Sequence, residues 1–177
     1  MRLIGGLWKR SKLPVADRPG LRPTPDRVRE TLFNWLGPGL AGWRVLDAFA
    51  GSGALGFEAA SRGAAHVRLL ERDPLLVRSL LASRARLQAS ALQVERADAL
   101  AWMAGAVRDS LDLVFLDPPF DAGLAAPALV QAARLVAVGG LIYLESADPV
   151  AQWPAGLLLH RASRAGAVHS QLFKRTA

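Results

Sequence analysis

Arg44-Val-Leu-Asp-Ala-Phe-Ala-Gly51-Ser-Gly53-Ala-Leu-Gly56 opens as an apolar run and then breaks into glycines before a helical pattern resumes. A strand over 44–49, a sharp turn and a helix ending near Gly63 is the expected local fold. Glycines at that turn let the backbone reverse and approach a ligand with no Cβ in the way. Their spacing also fits the G-x-G-x-x-G fingerprint of dinucleotide sites.

Outward from this stretch, strand and helix signals alternate. Upstream, Thr24 and Pro25 read as the cap and first residue of a helix, with Val28, Leu32, Trp35 and Leu36 on one face and Gly37 as its stop. Downstream, strands are expected over 67–71, 92–96, 111–116 and 141–145. Helices fall between them, from Asp73-Pro74 to about Gln88, over 99–104 and over 125–136. Residues 157–164 and 167–175 read as an antiparallel hairpin around Ala165-Gly166. Apolar strands alternating with helices make a parallel sheet covered on both faces, and sites in such sheets lie at the carboxyl ends of the strands.

The motifs gather at those ends. Asp47 stands four residues before Gly51, where a carboxylate opposes a pyrophosphate but suits a cationic cofactor without phosphate. S-adenosylmethionine, with its positive sulfonium and amino groups, is such a cofactor. Glu71 and Asp98, at the next two strand ends, are spaced for its ribose and its adenine amino edge. Phe49, Gly51 and Gly53 complete the expected cofactor site, which Asp117 borders.

Asp117-Pro118-Pro119-Phe120 ends the fourth of these strands. An exocyclic amine on a nucleobase is a poor nucleophile because its lone pair is delocalised into the ring. Asp117 and the Pro118 carbonyl can accept its two hydrogens and aim the lone pair. The prolines keep the turn rigid and free of competing donors, and Phe120 offers a face for a planar base. These four residues are the expected catalytic set.

Composition bounds the rest. The chain has 177 residues, 51% of them hydrophobic and 21% charged, which is enough for one domain with a sizeable core. No cysteine is present, so disulfides, thiolate-bound zinc and a cysteine nucleophile are excluded. His66, His160 and His169 show no ligand spacing, and no metal is implied. No apolar run approaches a bilayer span and no signal-peptide core opens the chain, so a cytoplasmic protein is expected. Of the net charge of +7, residues 1–30 carry +5 and residues 161–177 carry +4, leaving the middle at −2. Basic ends around a near-neutral centre suggest a polyanionic partner.

Arg2-Leu-Ile-Gly-Gly, Leu13-Pro-Val, the run from Gly20 to Trp35, Asp47 to Gly56 and Asp117 to Phe120 together resemble the RsmD family of small-subunit ribosomal RNA methyltransferases. The likeness covers essentially the whole chain, and the Gly20–Trp35 run is its most specific part. It implies a Rossmann-like class I S-adenosylmethionine-dependent methyltransferase with a mostly parallel seven-stranded sheet and a C-terminal antiparallel hairpin. The implied organisation is one domain over 1–177, with 1–23 a basic arm and 24–177 the core. The implied reaction is direct in-line methyl transfer to guanine N2 in 16S rRNA, within the 30S subunit or its assembly intermediate, by a monomer. The resemblance sets Arg22, Thr24, Arg27 and Arg29 near the target nucleotide or RNA backbone, and the basic arm adds Arg10. It departs at Ser83, where the family usually has Asn, and in the short loop after Glu145.

Rival readings are a DNA adenine-N6 methyltransferase, a protein-glutamine methyltransferase, a nicotinamide oxidoreductase and a non-catalytic RNA-binding subunit. The first needs a recognition domain for which 177 residues leave no room. The second favours Asn where this chain has Asp117, and the third leaves Asp117 to Phe120 without a use.

Overall fold

The computed structural model describes residues 1–15 and 25–177. A helix α1 (Asp26–Leu36) precedes an alternation of strands and helices: β1 (Arg44–Asp47), α2 (Ala54–Ser61), β2 (His66–Glu71), α3 (Pro74–Arg86), β3 (Leu92–Arg96), α4 (Ala99–Gly105), β4 (Leu111–Leu116), α5 (Ala125–Leu135), β5 (Val136–Ser146), β6 (Leu157–Ala165) and β7 (Val168–Arg175). They form one seven-stranded sheet in the order β3-β2-β1-β4-β5-β7-β6. The first five strands run parallel, while β7 pairs antiparallel with both β5 and β6. From β1 the chain winds outward to β2 and β3, then returns to place β4 on the other side of β1. The crevice at that reversal is where ligands bind in open α/β sheets.

Each face of the sheet has its own core. Leu32, Phe33, Phe57, Leu69, Leu80, Phe115 and Tyr143 pack together on the side of α1 to α3. Leu46, Met103, Val114, Leu129, Ile142 and Phe173 do so on the side of α4 and α5. The central strands β1 and β4 and the second half of β5 are buried on both faces, which is why they read as near-continuous apolar runs, whereas the edge strands β3 and β6 are only partly buried.

Three differences from the sequence reading stand out. Helix α1 begins at Asp26 with Pro25 as its cap, and it buries Arg29 and Phe33 with Val28, Leu32 and Leu36. Strand β5 starts at Val136 instead of 141, because Gly139 and Gly140 make a bulge opposite Asp112, where the register shifts between Leu111 and Leu113. A Cβ on Gly140 would fall 2.8 Å from the Asp112 carbonyl, so glycine keeps the strand paired where the sequence suggested a break.

The third difference is the N-terminal segment, which is laced to the core. Arg2 and Lys12 form an antiparallel bridge, and Leu3 and Leu13 are buried against α1 and α2. The Ile4 N–H donates to Glu58 Oε2 at 2.8 Å, the Leu7 N–H to the Ser61 carbonyl at 2.7 Å and the Trp8 N–H to Ser61 Oγ at 2.9 Å. Residues 1–15 are therefore part of the domain's packing, with their basic side chains at the surface.

Candidate active site

Strands β3, β2, β1, β4 and β5 lie in that order across the sheet. At or just beyond its carboxyl end each brings an acid: Asp98, Glu71, Asp47, Asp117 and Glu145. Four of these acids line one cleft of about 530 Å³, together with Phe49, Gly51 and the Pro118–Phe120 turn. Among its lining residues, Asp47, Glu71, Asp98, Asp117 and Asp121 stand against the single cation Arg72. A cleft of that balance suits a cationic ligand.

The glycine turn is held from below by carboxylates. Asp47 is almost fully buried, and its Oδ2 accepts the Gly56 N–H at 2.9 Å. Burial pushes this carboxyl up to about 7, the nearby Glu71 charge adds to the rise, and the Gly56 and Phe49 N–H groups oppose it. Glu71 Oε2 accepts the Gly51 N–H and Oε1 accepts the Asp73 N–H, each at 2.9 Å, so one side chain ties the turn to the start of α3. A phosphate bound here would need such N–H groups for itself, and carboxylates hold them. This arrangement disfavours the dinucleotide reading of the fingerprint.

Gly53 does not line the cleft. It caps α2 at φ +80°, and a Cβ there would lie 2.6 Å from Leu80 and 2.7 Å from Phe57. At Gly56 a Cβ would come within 2.0 Å of Leu69, so this glycine lets α2 pack tightly on β2. Asp98 both faces the cleft and caps α4 by accepting the Ala101 N–H at 2.9 Å.

On the far side of Asp117 lies a residue the sequence reading passed over. Leu116 pairs with Leu144, and Asp117 and Glu145 each come one position later, which sets them side by side on the face of Phe115 and Tyr143. Glu145 is buried, and its Oε1 accepts from the Tyr143 hydroxyl at 2.8 Å; that hydroxyl also lies 3.0 Å from Ser170 Oγ. Burial, then the Glu145 charge, push the Tyr143 phenol well above its ordinary range, so it remains a donor. A smaller recess of about 40 Å³, lined by Pro118, Pro119, Phe120, Leu124 and Glu145, opens beside the turn. Phe120 is 41% exposed and stands at the edge of both spaces.

The expected RNA-contacting residues separate. Arg10 and Arg27 are exposed, whereas Arg22 and Thr24 lie outside the described residues. Arg29 is wholly buried: Nη2 donates to the Arg2 carbonyl at 2.7 Å and to Asp26 at 2.6 Å, and Nη1 lies 3.9 Å from the buried Glu58. That places its guanidinium inside the joint between α1, α2 and the N-terminal segment, out of contact with solvent. Among the described residues no group of three or more His, Cys, Asp or Glu is placed to hold a metal, and no helix is long and apolar enough to cross a membrane.

Known proteins resemble this chain in sequence and in fold. The model of a family described as Conserved hypothetical protein 95 matches residues 1–174. Ribosomal RNA small subunit methyltransferase D of Escherichia coli (strain K12) is 44% identical over 181 residues, which take in all of this chain and 91% of that protein. Its Haemophilus influenzae counterpart is 44% identical over 151 residues, covering 82% of this chain and 78% of that protein. A solved Escherichia coli chain described as a candidate methyltransferase, yhhF, superposes with a TM-score of 0.89 at 40% identity, over 99% of this chain and 98% of that one.

Proposed function

Because the chain belongs to the family of ribosomal RNA small-subunit methyltransferases, described also as Conserved hypothetical protein 95, we propose that it methylates the exocyclic N2 of a guanine in 16S rRNA with S-adenosylmethionine as donor. The observation that carries this reading is the single acidic cleft in which Asp47, Glu71 and Asp98 meet the Asp117-Pro-Pro-Phe120 turn. The donor set fits the cofactor, because the lining acids outnumber the cations and the loop N–H groups a pyrophosphate would use are bound to Glu71 and Asp47. When bound, S-adenosylmethionine supplies a methyl group activated by its sulfonium charge.

Everything else is done by the chain. Glu71 and Asp98 hold the ribose and the adenine edge, Phe49 and Gly51 shape the wall, and Asp47 keeps the turn in place while contributing negative charge. Asp117 and the Pro118 carbonyl accept the two hydrogens of the target amine and set its lone pair in line with the methyl group. Pro119 stiffens the turn and Phe120 stacks on the base. Asp117 would accept the proton that the amine sheds as the new N–C bond forms and the bond between the methyl group and the donor's sulfur breaks. Orientation of this kind supplies roughly 7 to 11 kcal/mol when reacting atoms are held in a near-attack geometry.

The chain acts as a cytoplasmic monomer on RNA within the 30S particle or its assembly intermediate. Arg10 and Arg27 contact phosphates, joined by Arg22 and Thr24. The test is transfer of labelled methyl groups from S-adenosylmethionine to undermethylated small subunits. Asp117→Ala should abolish that transfer while leaving cofactor affinity intact, whereas a non-catalytic RNA-binding subunit would transfer no label at all.

A further inference from the structure

Asp117 and the Pro118 carbonyl accept from any ring-attached amine, so adenine N6 and cytosine N4 would satisfy them as well as guanine N2. We infer that Glu145 makes the choice, by accepting the N1–H of the target guanine beside the amine that Asp117 orients. This inference rests on the proposed base chemistry and deepens it.

The geometry supplies the pairing. Glu145 and Asp117 follow the registered pair Leu144 and Leu116 at the ends of adjacent parallel strands. Strand β5 lies on the side of β4 away from β1, hence away from the cofactor acids. Glu145 lines the recess that shares Pro118, Pro119 and Phe120 with the main cleft. The Tyr143 hydroxyl fixes its Oε1, and a carboxylate accepts about four hydrogen bonds, so that contact and a bond to a base coexist.

The chemistry supplies the selection. On the guanine edge the N2 amine is followed directly by N1–H, two donors in a row. Adenine N6 is flanked by the N1 and N7 lone pairs, and cytosine N4 by the N3 lone pair and C5–H. Two neighbouring carboxylates accept only, so a lone pair facing Glu145 is repelled. A site built to bond a donor rejects an analogue lacking it far more strongly than a hydrophobic pocket rejects a methylene.

The probe is small-subunit RNA whose target guanosine is replaced by 2-aminopurine riboside, which keeps the 2-amino group but carries a lone pair at N1. The wild-type protein should prefer guanosine by at least about 100-fold in kcat/KM. In Glu145→Gln the side-chain amide can donate to that lone pair, so the preference should shrink to within about tenfold. Tyr143→Phe, which removes a hydrogen bond but keeps the carboxylate, should hold the wild-type preference even where the overall rate falls. Equal use of both bases by the wild type overturns the inference, whether or not the variants fold. So does an unchanged preference in a Glu145→Gln variant of normal melting temperature and cofactor affinity. Methylation by the wild type of no guanosine at all would instead overturn the proposed function beneath it.

Discussion

The Gly56 backbone N–H donates to the buried Asp47 carboxylate across 2.9 Å, so the acid that begins the glycine motif also anchors its last glycine. The carboxyl titrates near 7 in the folded chain, against an ordinary value of 3.8. A raised acid gives stability that is complete below the unfolded value and is lost as pH climbs to the folded one. Melting temperature should therefore fall between about pH 4 and pH 7 through this residue. Asp47→Asn, which keeps a neutral acceptor for Gly56, should flatten that fall; superimposable wild-type and variant melting curves would remove Asp47 as its source.

The same titration predicts proton release. A cationic cofactor favours the charged carboxylate, so binding near neutral pH should expel part of a proton from Asp47. Calorimetry in two buffers of different ionisation enthalpy reads the release directly, and Asp47→Asn should abolish it. Equal apparent enthalpies for the wild type would show that the charge state does not change on binding.

Glu71 has two duties, accepting the Gly51 and Asp73 N–H groups and facing the cleft. Glu71→Ala should weaken S-adenosylmethionine by at least about tenfold, the loss of one charge-assisted hydrogen bond. Unchanged affinity in a folded variant would take Glu71 out of the site.

Arg27 and Arg29 should behave oppositely although they lie two residues apart. Removing Arg29 empties a wholly buried site and leaves the Arg2 carbonyl without its donor, while Glu58 keeps Arg62 and the Ile4 N–H; an unsatisfied buried acceptor costs about 1 to 3 kcal/mol. Arg27→Ala should leave stability alone and lower the slope of RNA affinity against salt by about one counterion. Equal melting temperatures for the two variants would contradict this division. Deleting residues 1–12 should destabilise the fold as well as weaken RNA binding, because Leu3 leaves the core with them.

What the sequence revealed and what it hid follow from where the causes lie. Asp73-Pro74 announces α3 because cap and first turn are neighbours in the chain, and the Asp73 carboxylate does accept the Leu75 N–H. Gly51 and Asp117-Pro-Pro-Phe120 were legible for the same reason, since a turn needs residues with particular backbone freedom at that spot. Arg29 was not, because the Arg2 carbonyl and Glu58, between which it is buried, come from the N-terminal segment and another helix. Leu3 and Leu13 fall in the stretch read as a basic arm, and the hydrogen bonds that lace that stretch to the core come from Glu58 and Ser61 on α2. Glu145 carries no glycine or proline to mark it. Its place beside Asp117 exists only once β5 pairs with β4.

The most direct test of the account is mass spectrometry of the nucleosides released from small-subunit RNA after methylation by the wild-type protein. N2-methylguanosine should be the sole new species, and none should form with Asp117→Ala. N6-methyladenosine would keep the role of Asp117 but contradict the substrate, and a ring-nitrogen or 2′-O-methyl product would contradict both.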